Sequence, residues 1–391
     1  MTKQQERGKM FVGSILSLSL LTVMAGAAVA PALGVIRSYF IDCNPLLVQM
    51  IISIPAIFIV LTNFFFSKLC SKFGSKTLVL VGLAFYTIGG ILAGAFDHIG
   101  LVLVMRALVG IGVGIIMPLS TGLLVFYFPP WRLSALMGYS SAMNQLGGVI
   151  ATLLSGLLAS ISWRASFLVY LLGLISIILC CFFLPNDRIQ SDEDRAAAEK
   201  AGITLKKYYA YIFGMFLLMT IFFIYPTNFA IEVANEGVIN QKYIALIMAM
   251  MDLIAFFGGL LFVSVKKVLG NISKFLAPVL FLAGYLLLAL VGGWLGTLTG
   301  SVLIGFANGA GIPYIISSAS QKAGRSAVTT VMPLLSAALY LAQFLCPILM
   351  SGVTLAFGDV HRLPYFFAGV LSVIFIFWSA LMPNLEENEK H

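Results

Sequence analysis

Residues 106–118 read RALVGIGVGIIMP and place an arginine, three alternating glycines and a proline inside one continuous apolar run. The run extends from about residue 99 to residue 128, which is long enough to cross a bilayer as a helix. A charged side chain is costly in hydrocarbon, so Arg106 is a candidate functional residue. The glycines form a flat surface against which neighbouring helices can pack closely.

The rest of the chain repeats this apolar pattern. Of its 391 residues, 60% are hydrophobic and only 10% are charged, whereas soluble domains contain about 25% charged residues. The apolar runs have the length of helices, and the alternating segments of a transmembrane barrel are absent. We therefore predict an all-α membrane protein. Its twelve spans are predicted near residues 11–36, 45–66, 77–96, 99–128, 133–160, 165–185, 208–231, 241–265, 272–292, 295–319, 326–352 and 364–383.

The basic residues predict the orientation of these spans. With the N-terminus placed inside, 18 of the 23 Lys and Arg residues fall in cytoplasmic segments and 4 in outside segments. This bias predicts a multi-pass protein of the cytoplasmic membrane with both termini in the cytoplasm. The net charge of +8 is explained by the same bias, so we expect no nucleic-acid partner.

A polar segment divides the spans into two sets of six. Residues 186–207 carry mixed charges and predict a cytoplasmic linker between an N-terminal bundle, 1–185, and a C-terminal bundle, 208–391. The sequences LVGIGVGIIMP at 108–118 and LIGFANGAGIP at 303–313 share a leucine, two glycines and a proline at a separation of 195 residues. Two pseudo-symmetric six-helix bundles joined by a linker follow the parallel-repeat plan of secondary transporters.

These features resemble the major facilitator superfamily over nearly the full chain. The loop SKLCSKFGSK between spans two and three is similar to the family's loop signature and fits it at Leu69, Lys72, Gly74 and Lys76. The aspartate of that signature, which helps to latch the cytoplasmic gate in the family, is Ser71 here. The resemblance implies a gating role for Lys72, Gly74 and Lys76, with a latch that is weaker or built differently.

Within the superfamily, the chain is most similar to the drug–proton antiporters. Arg106 and the alternating glycines match the fourth-helix signature, and the end of span one, VAPALGVIRSYF, resembles that of the antiporters. Trp163-Arg164 opens span six in a similar way. The fifth-helix signature is matched only in part, because its glycine-proline pair is Ala151-Thr152 here. This departure leaves the direction of transport open.

Two charged residues inside the spans are candidates for proton coupling. Asp252 lies about midway along span eight, on a face of small residues suited to the bundle interior. Burial disfavours the charged form of a carboxyl group, which favours proton exchange near neutral pH. Arg106 is predicted as a relay or gating group. Asp252 as a structural carboxyl or a substrate contact, and Arg106 as an anchor for loop carbonyls or polar side chains of span one, remain open alternatives.

Polar and aromatic residues on inner helix faces are candidates for substrate binding, although helix–helix hydrogen bonds explain them equally well. They are Asn144, Gln145, Tyr225, Asn228, Asn308, Tyr314, Tyr340 and Gln343. Arg37, at the outer end of span one, is a candidate gating residue. The alternatives for Arg37 are snorkelling to the interface and binding of an anionic solute.

The sequence contains no enzyme motif, and we expect neither a catalytic residue nor a cofactor. Its 3 histidines and 5 cysteines show no metal-ligand spacing. We predict a monomeric secondary transporter that moves a small amphipathic or lipophilic solute by alternating access, most simply by proton-coupled export. The alternative is uptake of a small organic acid or metabolite by symport or facilitated diffusion.

Overall fold

A computed structural model of the chain describes residues 8–188, 208–237, 239–291, 293–358 and 360–382. Within these ranges the regular structure is entirely helical. Most of the predicted linker, residues 189–207, lies outside the described residues. The α-helices are Lys9–Ala27, Leu33–Tyr39, Pro45–Lys72, Ser75–Ala93, Ile99–Tyr127, Pro130–Ala159, Leu172–Phe183, Tyr209–Glu236, Gln241–Leu269, Leu276–Leu290, Gly293–Phe357 and Leu363–Leu381. The 3-10 helices are Ala30–Ala32, Ala165–Leu171 and Gly270–Phe275.

Twelve helical segments of the described chain are long and apolar enough to cross a membrane, which confirms the predicted all-α membrane fold. We number them as spans one to twelve. They are Lys9–Tyr39, Pro45–Phe66, Ser75–Ala93, Ile99–Tyr127, Gly138–Ala159, Ala165–Phe183, Tyr209–Glu236, Lys242–Phe262, Ser264–Leu290, Gly293–Ala319, Leu334–Phe357 and Leu363–Leu381.

The chain divides into two compact units, residues 1–202 and residues 203–391, each with six spans. The boundary falls inside the segment predicted as a linker. In the first unit, span four packs against spans one, two and three, and span one packs against span five. In the second unit, the helix that contains spans ten and eleven packs against spans seven, eight and nine.

Span one is interrupted in its second half. The first α-helix ends at Ala27, and three residues of 3-10 helix precede the next α-helix. Pro31 explains the break because proline has no N–H to donate to the carbonyl four residues earlier. The N–H of Val29 donates to Gly26 O at 3.3 Å, and that of Ala32 donates to Val29 O at 3.0 Å. The span therefore tightens into 3-10 geometry at this point.

Spans ten and eleven lie in one continuous helical element that folds back on itself. Ser301 Oγ is 2.7 Å from the Tyr225 hydroxyl, and Cys346 Sγ is 4.0 Å from Thr227 Oγ1. Two residues of span seven thus contact positions 301 and 346, which a straight helix would hold about 67 Å apart at ~1.5 Å per residue. The chain must reverse between the two contacts.

The alternating glycines of span four contact the backbones of two neighbours. A Cβ atom at Gly110 would overlap the backbone of Pro55 in span two, and one at Gly112 would lie 2.6 Å from Gly82 O in span three. A Cβ atom at Gly114 would lie 2.7 Å from a side-chain atom of span two. Since these gaps are too short for any side chain, glycine is required for the close packing of span four.

We predict that Gly110→Ala lowers the free energy of unfolding by about 1–3 kcal/mol, the usual cost of overpacking a tight contact. Thermal unfolding of the purified protein in detergent measures the effect. Gly122→Ala is the matched control in the same helix, because a Cβ atom at Gly122 meets nothing within 4 Å. Equal unfolding temperatures for the two variants would contradict the close packing.

Candidate functional site

Arg106 has the largest completely buried side chain among the described residues. Its Nε donates to Ile51 O at 2.7 Å, its Nη2 donates to Ala25 O at 2.5 Å, and its Nη1 donates to the Tyr170 hydroxyl. The Tyr170 hydroxyl donates in turn to Ala25 O at 2.8 Å. Arg106 therefore ties spans one, two and six to span four inside the first unit.

Both carbonyls are available because their helices are irregular at these points. Pro55 lies inside span two and has no N–H, so Ile51 O, four residues earlier, lacks its helical donor. In span one the N–H of Val29 donates to Gly26 O, which leaves Ala25 O without its regular donor. An unpaired carbonyl in hydrocarbon costs several kcal/mol, and the guanidinium group removes this cost at two places.

The chemistry of the cluster suits an anchor. A guanidinium group stays protonated in proteins, so Arg106 carries a fixed positive charge. Its hydrogen-bond partners are two carbonyls and a phenol. These contacts match the anchor hypothesis for Arg106, while a relay role stays a prediction.

Asp252 lies ten residues from either end of span eight and is partly buried. The face predicted to turn inward is buried in the second unit, and the opposite face is exposed. Residues of the buried face that are 2–4% exposed are Ala245, Met248, Ala249 and Ala255. Residues of the opposite face that are 43–62% exposed are Leu246, Leu253, Phe257 and Leu260. The carboxyl group thus lies at mid-span depth between a buried and an exposed surface.

Tyr225 is the buried neighbour of this carboxyl group. Its side chain is completely buried and near enough to Asp252 for an electrostatic interaction. Its hydroxyl lies 2.7 Å from Ser301 Oγ, which also donates to Thr297 O at 2.7 Å. Since the Ser301 hydrogen is used by that carbonyl, the Tyr225 hydroxyl is the donor of the pair. Asp252 therefore has a phenol of fixed orientation nearby.

The other predicted substrate-binding residues fall into both units. In the first unit, Thr22 Oγ1 donates to Asn144 Oδ1 at 2.6 Å, and Gln145 is partly buried. In the second unit, Asn228 Nδ2 donates to Ile224 O at 2.9 Å. The remaining candidates are the buried residues Asn308, Tyr314 and Gln343 and the partly buried residue Tyr340. Their role in binding stays a prediction.

Two of the predicted gating residues are tied to the end of span six. The Lys76 ammonium group donates to Cys181 O at 2.6 Å. Gly74 lies against the side chain of Asn186, which a Cβ atom at this position would overlap. Asn186 Oδ1 accepts from the N–H of Thr77 at 3.2 Å and so caps the start of span three. Lys72 ends the preceding helix with its side chain exposed.

Asp187 strengthens this junction in a way that the sequence did not reveal. Its backbone oxygen accepts from the N–H of Ser75 at 2.8 Å, and its Oδ2 accepts from the Tyr127 hydroxyl at 2.8 Å. Asn186 and Asp187 are the first two residues of the predicted linker, more than a hundred positions after span three begins. The proline and two polar residues that follow the apolar run of span six were the available signal.

Arg37 is the fourth predicted gating residue, and its charge is already used locally. Its Nη1 lies within hydrogen-bond distance of three backbone oxygens in the turn that follows span one. These are Phe40 O at 2.9 Å, Ile41 O at 3.1 Å and Cys43 O at 2.9 Å. The contacts describe a cap on the turn, while a gating role stays a prediction.

Each unit also has an ionic cluster at its loops. In the first unit, Asp97 accepts from the Tyr39 hydroxyl at 2.5 Å and pairs with Arg164. The hydrogen bonds from Tyr39 and Arg164 lower the pKa of the Asp97 carboxyl from its ordinary value. In the second unit, Arg362 Nε donates to Glu236 Oε1 at 2.7 Å. Arg164 and Glu236 stand out in the sequence, but their partners carry no spacing signal.

Among the described residues, no group of three or more His, Cys, Asp or Glu side chains could hold a metal ion. The arrangements that the structure does describe are a buried cation held by carbonyls and a mid-span carboxyl within electrostatic range of a buried phenol. Both are arrangements of a membrane-embedded binding or transport protein, because intramembrane charges mark solute and ion pathways.

Comparison with known proteins agrees with this architecture. The Major Facilitator Superfamily model matches residues 14–332. The chain is similar to multidrug resistance protein 3 of Bacillus subtilis, with 28% identity over 181 residues that cover 41% of this chain and 35% of that protein. It is also similar to the hexuronate transporter of Bacillus subtilis, with 25% identity over 210 residues that cover 50% of each chain. The chain thus spans half or less of the length of these relatives.

Among solved structures, the chain is similar to the nucleoside transporter NupG, with a TM-score of 0.76 and 13% sequence identity. The match covers 95% of this chain and 100% of that chain, and at this identity it concerns the fold alone. The family model covers most of the chain, and the described spans form two units of six helices. The chain therefore belongs to the Major Facilitator Superfamily, a family of transporters rather than enzymes.

Proposed function

We propose that this transporter exports a small amphipathic or lipophilic organic solute across the cytoplasmic membrane in exchange for protons. Asp252 is the group that binds and releases the proton. The solute crosses by alternating access, in which its binding site opens in turn to each side of the membrane. Arg106 positions span one at its break. The partners are the solute, protons and the lipid bilayer, and the working unit is a monomer.

One observation carries the coupling proposal, namely the depth and surroundings of Asp252. Two other acidic residues lie within the described spans, Glu232 and Glu236, and both stand in the last turns of span seven. Asp252 is at the centre of span eight, flanked by the buried side chains of Met248 and Met251. An ionisable group at this depth is costly unless it has a role.

The same surroundings favour an apolar solute. Methionine side chains adapt to ligands of varied shape because they are unbranched and flexible. A deprotonated Asp252 would attract the positive end of an amphipathic solute. Protonation from outside forms an O–H bond on the carboxylate, which removes this attraction and releases the solute outward. The proton leaves to the cytoplasm when the site next faces inward, and the carboxylate is restored.

The second candidate function is uptake of a small organic acid, and the similarity to a hexuronate transporter favours it. A site for carboxylates needs a cation with free donors. The Arg106 guanidinium is completely buried and donates to two carbonyls and a phenol, and Arg37 Nη1 contacts three carbonyls. Both charges are engaged by the protein itself, so we place export first.

The two functions predict different ligands. We expect a lipophilic cation such as ethidium to raise the unfolding temperature of the purified protein, and more so at pH 8 than at pH 6, because the cation competes with protons for Asp252. Glucuronate is expected to have no effect. A thermal-shift assay at both pH values makes the comparison. Stabilisation by glucuronate without stabilisation by ethidium would favour uptake of acids.

We predict that Asp252→Asn abolishes proton-driven transport, because an amide cannot bind and release a proton. Proteoliposomes with an imposed pH gradient measure ethidium movement and the accompanying proton flux. Asp252→Glu should retain part of the coupling. Asp42→Asn, at an exposed loop position, is the matched control and should transport normally. Full pH-driven transport by Asp252→Asn would refute the coupling role.

The predicted orientation of the chain in the membrane can be tested separately. In a variant without native cysteines, Ser160→Cys lies at the predicted outer end of span five and Lys72→Cys in a predicted cytoplasmic loop. Both native side chains are exposed. A membrane-impermeant maleimide applied to intact cells should label the first position and leave the second unlabelled until the membrane is opened. The reverse pattern would place the termini outside.

A further inference from the structure

We infer that two residue pairs, Gly90 with Arg106 and Tyr285 with Ser301, are interchangeable solutions of one structural requirement. In each unit the pair supplies a donor to a backbone carbonyl near the proline of the first span. The inference deepens the proposed function, because it makes Arg106 and Tyr285 positioning residues for spans one and seven. It also explains why the first unit has a buried cation at position 106 where the second unit has Ser301.

The packing of equivalent spans establishes the register. A Cβ atom at Gly89 would lie 2.7 Å from Met105 O and 3.1 Å from the N atom of Val109. In the second unit a Cβ atom at Gly284 would lie 3.0 Å from Gly300 O and 3.3 Å from the N atom of Ile304. All three positions in the second unit are displaced by 195 residues. Spans three and four therefore pack in the same register as spans nine and ten.

With this register, large and small residues are exchanged between the units. The equivalent of Gly90 is Tyr285, and the equivalent of Arg106 is Ser301. A Cβ atom at Gly90 would overlap the ring of Tyr170, whose hydroxyl accepts from Arg106. No residue larger than glycine therefore fits at position 90 while Arg106 holds that ring. In the second unit, the large side chain comes from span nine and the small one from span ten.

The two large side chains serve carbonyls at closely matching positions, one residue apart in this register. Arg106 Nη2 donates to Ala25 O at 2.5 Å, and the Tyr285 hydroxyl donates to Ile221 O at 2.6 Å. These carbonyls are 196 residues apart, and each is followed within six residues by a proline of the first span of its unit. The prolines, Pro31 and Pro226, are themselves 195 residues apart. Each unit thus has a side-chain donor on a carbonyl less than two turns before the proline of its first span.

A second tyrosine gives independent support. Tyr170 and Tyr365 occupy equivalent positions in spans six and twelve, and both are buried. The Tyr170 hydroxyl is bonded to Arg106 and to Ala25 O. The Tyr365 hydroxyl has no hydrogen-bond partner among the described residues, as expected where no guanidinium group is present and Tyr285 has taken the carbonyl.

The exchange has a consequence for Asp252. In the first unit Arg106 reaches Ile51 O in span two. Spans two and eight are displaced by 196 residues, because Gly110 packs on Pro55 and Gly305 packs on Met251. The equivalent of Ile51 is therefore Ile247, little more than one turn before Asp252. An arginine at position 301 would therefore bring a positive charge beside the carboxyl group and hold it ionised. The neutral pair leaves Ser301 Oγ free to fix the Tyr225 hydroxyl instead.

The test is a pair of double-mutant cycles in the full chain. Thermal unfolding in detergent is measured for Gly90→Tyr, Arg106→Ser and their combination, and for Tyr285→Gly, Ser301→Arg and their combination. We expect each single variant to lose several degrees of unfolding temperature and each double variant to recover most of the loss. If in both cycles the double variant loses as much unfolding temperature as the two single variants together, the inference is overturned. Because this readout needs no substrate, it is independent of the proposed function.

A pH profile separates positioning from mere structural support. Ethidium transport in proteoliposomes is measured between pH 5.5 and pH 8.5, with each variant normalised to its own maximum. The profile of Gly90→Tyr/Arg106→Ser should keep its wild-type midpoint, since Asp252 is untouched. Tyr285→Gly/Ser301→Arg should lose its pH dependence although it is folded. A shifted midpoint in the first variant, or an unchanged profile in the second, would contradict the assignment.

Discussion

An unpaired backbone carbonyl is among the most expensive groups to place in hydrocarbon, and this constraint explains the centre of the first unit. A helix satisfies its carbonyls internally unless a proline or a bend removes a donor. Spans one and two each contain such a defect, and Arg106 donates to both released carbonyls. Its side chain can reach them because Gly110 allows span four to touch span two. The cation and the glycine surface are therefore parts of one arrangement, in which close packing brings the donor to the defects.

The sequence predicts much of the fold because the bilayer imposes strong rules on composition. Twelve apolar runs and a repeat of 195 residues were enough to predict the spans and the two bundles, and the structure and the family match confirm them. The break in span one was less visible, since Pro31 could have produced a gentle kink. The partnership of Arg106 with Tyr170 could not be predicted, because contacts between distant helices leave no spacing in the sequence. Likewise, Asn186 looked like the start of a solvated segment, and only the folded structure shows that it caps span three.

The two units show how a repeated fold acquires different chemistry. Both place a side-chain donor on a carbonyl shortly before the proline of their first span, and a guanidinium group or a phenol supplies it. The guanidinium group brings a permanent charge and several donors, which suits a rigid brace among four spans. The phenol is neutral and makes one bond, which leaves polar side chains such as Ser301 for other partners. The first unit has a buried charge because its donor is an arginine, and the equivalent place in the second unit is neutral because its donor is a tyrosine.

The contact between Gly74 and Asn186 couples the end of span six to the start of span three. Asn186 Oδ1 and Asp187 O both accept hydrogen bonds from the first residues of span three. The first residues of span three are therefore held by the residues that follow span six. Any residue larger than glycine at position 74 would displace the Asn186 side chain and remove its cap from span three.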